Sequence, residues 1–173
     1  MTWQLARHEW RRTRASLLFW LLLTAGQLTI AWLVFAQLES YSRIAPQLNS
    51  AGSTLSATDL IIAPTFGSLV LLLLLAVPLL AQGGLAGEGR SGRLTLWLSA
   101  PVTSATLVVS RVIGVFLSTL PLLLTAVLTL ALTGLGIELD WPRFLLGVAA
   151  LLVYALWLAS ITVSLSTWVE HPA

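Results

Sequence analysis

Long uncharged, hydrophobic runs alternate with short polar segments along the chain. Four runs without any Asp, Glu, Lys, Arg or His are each long enough to cross a hydrocarbon layer of about 30 Å as an α-helix. They are Ala15 to Leu38, Leu60 to Gly87, Val112 to Ile137 and Phe144 to Val169. We place the spans at residues 15–38, 60–84, 110–135 and 144–168, within one membrane domain of residues 1–173. The pattern predicts an all-α, polytopic helical membrane protein with four transmembrane helices.

The composition excludes an ordinary soluble domain, because 57% of the 173 residues are hydrophobic and only 9% are charged. The first run is far longer than the roughly 7 to 15 residues of a signal-peptide core, so we predict that it stays as a span. The chain has no cysteine, no H-E-x-x-H and no G-x-S-x-G motif, and neither histidine lies in a predicted span. We therefore expect no catalytic, metal or cofactor site, and no enzyme.

The basic residues are distributed unequally between the two sides of a four-span chain. All nine are arginine, and only Arg43 and Arg143 fall on the second side. An excess of Arg marks the cytoplasmic side, so we predict a multi-pass protein of the cell membrane with both termini in the cytoplasm. The net charge of +2 then reflects topology, and it gives no reason to expect nucleic-acid binding. The seven arginines of the first side are Arg7, Arg11, Arg12, Arg14, Arg90, Arg93 and Arg111.

One segment leaves an alternative open. Leu94 to Ser110 is also uncharged and could form a short fifth span, which would place Arg111 outside and reverse the later loops. Pro101 near its centre and several Ser and Thr residues argue against that alternative. We favour a cytoplasmic link between the second and third spans.

This link segment, residues 87–103, contains the pattern G-x-G-x-x-G at Gly87, Gly89 and Gly92. A dinucleotide-binding fingerprint needs a strand before the first glycine, whereas a leucine-rich span precedes this one. We expect the glycines from 83 to 92 to let the chain leave the bilayer and turn. Leu94, Trp97 and Leu98, at i, i+3 and i+4, then predict a short amphipathic helix that Pro101 ends.

The phrase "EGRSGRLTLWLSAPVTSATLVVSRVIG" resembles the cytoplasmic link of the type 2 family of ABC transporter membrane subunits. An acidic and a basic residue precede S-G-x-L, a leucine-rich turn and a small-residue-P-[VI]-[ST] ending, and the phrase follows the second span, as in that family. The matching residues are Glu88, Arg90, Ser91, Gly92, Leu94, Leu96, Leu98, Pro101, Val102 and Thr103.

The resemblance implies the permease subunit of an ATP-driven exporter. Its partners would be a cytoplasmic ABC ATPase that binds the ATP, a second permease subunit and the lipid bilayer. The link would act as a coupling helix docked on the ATPase, through Glu88, Arg90, Arg93, Leu94, Trp97, Leu98 and Pro101.

The span count departs from the family, whose members usually have six spans. Four spans imply either a truncated chain or a reduced form, and we expect transport by this chain alone to fail. The alternative function is that of a non-transporting membrane anchor, an assembly factor or an inactive fragment of such a permease.

Residues 1–14 predict a basic helix at the membrane surface. Trp3, Ala6 and Trp10 form one stripe, and arginines form the adjoining one. In the resembling family such a helix lies along the inner membrane surface. A simple positively charged anchor would explain the same pattern.

Polar and small residues in the spans predict helix-helix contacts. We expect interhelical hydrogen bonds from the polar residues, with substrate contact as the alternative, and close helix approach at the pairs Gly114/Ser118 and Ala155/Ala159. Acidic residues flanking the spans on the outer side suit helix capping. The polar residues are Gln27, Gln37, Gln82 and Tyr154, and the acidic ones are Asp59, Glu138 and Asp140.

The predicted orientation is tested by single cysteines at Ser42, Ser91 and Asp140. Because the native chain has no cysteine, each variant carries one thiol. An impermeant maleimide should label the variants at Ser42 and Asp140 in intact cells, and the variant at Ser91 only after permeabilisation. Labelling at Ser91 in intact cells would contradict the four-span topology.

Overall fold

The computed structural model describes residues 2–50, 58–90 and 104–169, and side chains within 3–47, 58–81 and 105–166. All regular structure in these residues is helical. The helices are α1 (Thr2–Arg14), α2 (Leu17–Ser50), α3 (Ala63–Arg90), α4 (Ser104–Thr133) and α5 (Trp141–Val169), with a π-helical turn at Thr58–Ile62 before α3. Four of them, α2 to α5, are long and apolar enough to cross a membrane. In the described residues, the predicted all-α architecture with four helices able to span a membrane is confirmed.

Two of the four long helices, α3 and α4, form a central pair. α3 and α4 contact each other, α2 and α5 each pack against both, and α1 lies along α4. Apolar side chains from α2 to α5 meet between the helices and exclude lipid from the centre. The most deeply buried include Ile30, Leu69, Leu73, Val77, Ala126, Leu130, Ala155 and Ala159.

Large apolar side chains also cover the outside of the bundle. Leu71 is 68% exposed, Leu146 74% and Trp32 71%. A soluble protein rarely leaves apolar patches of this extent in water. Together with the four long apolar helices, this surface defines a multi-pass helical membrane protein.

The helix ends differ from the predicted span ends most clearly in α2. This helix has 34 residues, so at 1.5 Å per residue it is about 51 Å long and exceeds a hydrocarbon core of about 30 Å. Its polar end is supported by an ion pair one turn apart, Arg43 Nη2 to Glu39 Oε1 at 2.5 Å. Leu38 therefore marks the end of the apolar stretch, while the helix continues.

The expected turn at Gly83 to Gly89 is wrong, because α3 continues without a break to Arg90. A glycine inside a helix costs about 1 kcal/mol relative to alanine. That cost does not by itself end a helix, since each further residue adds a backbone hydrogen bond. Gly92 lies outside the described residues.

A polar cluster fixes the start of α5 against the π-helical turn. The backbone N–H of Arg143 donates to Asp140 Oδ1 (3.2 Å), so Asp140 caps α5 as predicted. The Asp140 N–H in turn donates to Thr58 Oγ1 at 3.0 Å. The Arg143 side chain contacts Asp140 Oδ2 at 3.0 Å and Asp59 Oδ1 at 3.4 Å. The cluster joins the beginnings of the second and fourth spans.

One hydrogen bond connects the first and third spans. Gln27 Nε2 donates to Thr129 Oγ1 at 2.6 Å, which confirms the predicted interhelical role of Gln27. The Thr129 hydroxyl donates to the Thr125 carbonyl of its own helix at 2.9 Å. Gln27 Oε1 is buried and has no hydrogen-bond partner. Only the Nε2 group of the Gln27 amide is thus hydrogen-bonded, and that bond depends on Thr129.

This asymmetry predicts unequal effects of removing the two partners. Thr129→Val leaves both ends of the Gln27 amide without a partner, and should lower the free energy of unfolding by about 1 kcal/mol. Gln27→Met removes the same bond together with the unsatisfied oxygen, and should cost clearly less. Reversible unfolding in mixed micelles measures both changes. A larger loss for Gln27→Met would show that the bond is worth more than the unsatisfied group costs.

Candidate functional site: the α1 end of the bundle

Four helices meet at one end of the bundle. Glu9 and Thr13 of α1 line a small cleft there together with Arg111 of α4, Val163 of α5 and the α3 residues Leu80 and Ala81. The final residues of α3 and the first residues of α4 belong to this end. The described residues on either side of the link segment, up to Arg90 and from Ser104, therefore lie at the same end of the bundle as this cleft.

α1 and α4 approach each other closely at Gly114, which has no side chain. A Cβ atom there would lie 2.8 Å from Glu9 Cβ and 3.6 Å from the Ala6 carbonyl oxygen. Ala6 is completely buried in this contact. Ser118 is also buried, and its hydroxyl donates to the Gly114 carbonyl at 2.9 Å. The predicted close approach at Gly114 and Ser118 occurs, and the helix that approaches is α1.

The corner between α1 and α2 is short and well bonded. Ser16 caps α2, since the Phe19 N–H donates to Ser16 Oγ at 3.2 Å. Trp20 Nε1 donates to the Arg14 carbonyl at 3.0 Å, and the Arg14 guanidinium lies 4.9 Å from the Trp10 ring centroid. These bonds hold α1 in a defined direction relative to the first span.

The antiparallel spans separate the described arginines into two groups. α1 and Arg111 lie at the end described here, whereas Arg143 lies at the opposite end with the π-helical turn. α2, which carries Arg43 in its later part, also contacts that turn. This is the grouping that the sequence predicts. The side of the membrane to which each end belongs stays a prediction.

The predicted coupling residues are only partly covered. Glu88 and Arg90 lie in the last turn of α3, where the backbone alone is described. Arg93, Leu94, Trp97, Leu98 and Pro101 lie outside the described residues. Their coupling role therefore stays a prediction.

Sequence reasoning missed the pairing of α1 with the third span. Ala6 and Gly114 are small residues at the centre of that contact, but small residues occur throughout the chain and do not indicate their partners. In the described ranges, no group of three or more His, Cys, Asp or Glu side chains could hold a metal ion.

These features define a multi-pass helical membrane protein whose N-terminal amphipathic helix packs on its third span. No protein-family model, no curated protein and no solved structure matches the sequence.

Proposed function

We propose that the chain is the membrane-spanning permease subunit of an ATP-driven exporter of the ABC type. ATP would bind to a separate cytoplasmic ATPase, and a second permease subunit would complete the transport path. The proposal rests on the resemblance of the link segment to type 2 permeases. The observation that carries it is the meeting of α1 with the helix ends that flank this link.

ATP binding can move a membrane path only through an element that contacts both the ATPase and the spans. The link segment connects directly to α3 and α4, the central pair of the bundle. A displacement of the link would act on α4 first. Because α1 packs closely on α4 at Gly114, which has no side chain of its own, the two helices would move together.

The four spans of one chain leave most of their outer surface apolar. A hydrophilic path needs a polar or enclosed lining, which one chain of this composition does not supply. We therefore assign the rest of the path to the second permease subunit. The chain with its ATPase but without that subunit should not transport.

The proposal is tested by purifying the tagged chain from its own cell membranes in mild detergent. An ABC ATPase subunit should co-purify, identified by mass spectrometry and by ATP hydrolysis in the eluate. Trp97→Ala should weaken this association by about 2 kcal/mol or more, since buried aromatic anchors dominate such interfaces. Ser99→Ala, two residues away, is the matched control and should have little effect.

Membrane retention of the Trp97→Ala variant separates docking from simple attachment to lipid. Reduced retention with unchanged ATPase binding would mean that Trp97 lies in the headgroup layer. The coupling role would then be wrong. A native chain that purifies without any ATPase would favour the anchor or assembly factor.

A further inference from the structure

An open apolar groove of about 560 Å³ lies between α1, α4 and α5. Its size falls in the range of roughly 300 to 1,000 Å³ typical of ligand pockets. Leu120 and Leu124 of α4 and Val148 and Leu152 of α5 form its long walls. Leu124 is 61% exposed, so the groove opens to the lipid-facing outside of the bundle.

The α1 wall of the groove includes the side chains of Arg7 and Trp10. Trp10 Nε1 is buried and has no hydrogen-bond partner in the described part of the chain. Arg7 is exposed, and no hydrogen bond or ion pair to a described residue satisfies it. A second cation, Arg14, lies over the Trp10 ring. Arg7 therefore places one positive charge at the rim of a groove whose surface is otherwise almost entirely apolar.

We propose that this groove binds one anionic phospholipid. The lipid phosphate would pair with the Arg7 guanidinium at the rim of the groove, while an acyl chain lies along the leucines of α4 and α5. A cation beside a membrane-facing apolar surface needs an anionic partner, and basic sites between transmembrane helices suit anionic headgroups.

The apolar walls of the groove favour a phospholipid over a free phosphate ion, and Arg7 favours it over an apolar helix. A free phosphate ion would satisfy Arg7 but would leave the groove unfilled. An apolar helix from a second copy would fill the groove but would bury Arg7 without a counter-charge, which is costly. A phospholipid satisfies both parts of the surface. This inference does not depend on the proposed transport function.

The test uses the full chain purified in detergent and exposed separately to phosphatidylglycerol and phosphatidylcholine, with bound lipid counted by native mass spectrometry. The native chain should retain one phosphatidylglycerol in preference to phosphatidylcholine. Arg7→Gln should weaken phosphatidylglycerol retention by about fivefold or more. Arg11→Gln is the matched control on the same helix, because Arg11 does not line the groove, and should leave retention nearly unchanged.

A second variant tests the apolar part independently of charge and of α1. Leu124→Trp places a larger ring in the groove and should also reduce phosphatidylglycerol retention. Leu71→Trp, at a similarly exposed leucine of α3, should not. Equal retention of both lipids by the native chain would overturn the proposal, as would unchanged retention in both Arg7→Gln and Leu124→Trp. A dimer that forms as lipid is lost would assign the groove to a second copy instead.

Discussion

Hydrocarbon offers no hydrogen-bond partner, so every backbone amide and carbonyl within a membrane must be satisfied inside the protein. Long uninterrupted helices meet this requirement, and α2 to α5 are such helices. Their hydroxyl side chains follow the same rule, since Thr65 and Ser118 donate to carbonyls of the preceding turn. The amide of Gln27 is a partial exception, with one end bonded across the bundle and the other buried without a partner.

A second constraint is the charge of α1. This helix carries arginines and two tryptophans, so it cannot cross the membrane as a span. Ala6 and Gly114 let its backbone approach α4 closely. The same packing separates its faces, so that Glu9 turns to the four-helix cleft while Trp3 and Arg7 line the apolar groove. One short helix thus contributes to both surfaces at this end of the bundle.

The sequence predicts the spans well, because a long uncharged apolar run can form few structures other than a membrane-spanning helix. The cap at Asp140 is also readable, since a carboxylate stands directly before an apolar helical run. The end of α2 is not readable from hydropathy, because polar residues such as Glu39 and Arg43 support a helix outside lipid as well as a loop. The glycines before Arg90 led to a wrong prediction of a turn, because glycine permits a turn without requiring one.

The groove could not be predicted, because its walls come from three helices whose arrangement depends on the α1 contact. Arg7 and Trp10 are recognisable in the sequence as parts of a basic amphipathic helix. Only the packing on α4 shows that they share a surface with Leu124 and Val148. The coupling role of the link, by contrast, comes from the sequence alone. It depends on a resemblance in residues that lie largely outside the described ranges.

Both surfaces at this end of the bundle rest on the packing of α1 on α4 at Gly114, beside the helix ends that flank the link. The most direct test of this packing is a double variant, Glu9→Cys with Gly114→Cys, oxidised mildly in native membranes. The two Cβ positions lie 2.8 Å apart, and a small outward shift would give the roughly 3.5 to 4.5 Å of a disulfide. We expect rapid protection of both thiols from alkylation, and no protection for Glu9→Cys paired with Gly67→Cys, a position with nothing within 4 Å. Equal alkylation of the two double variants would contradict this packing.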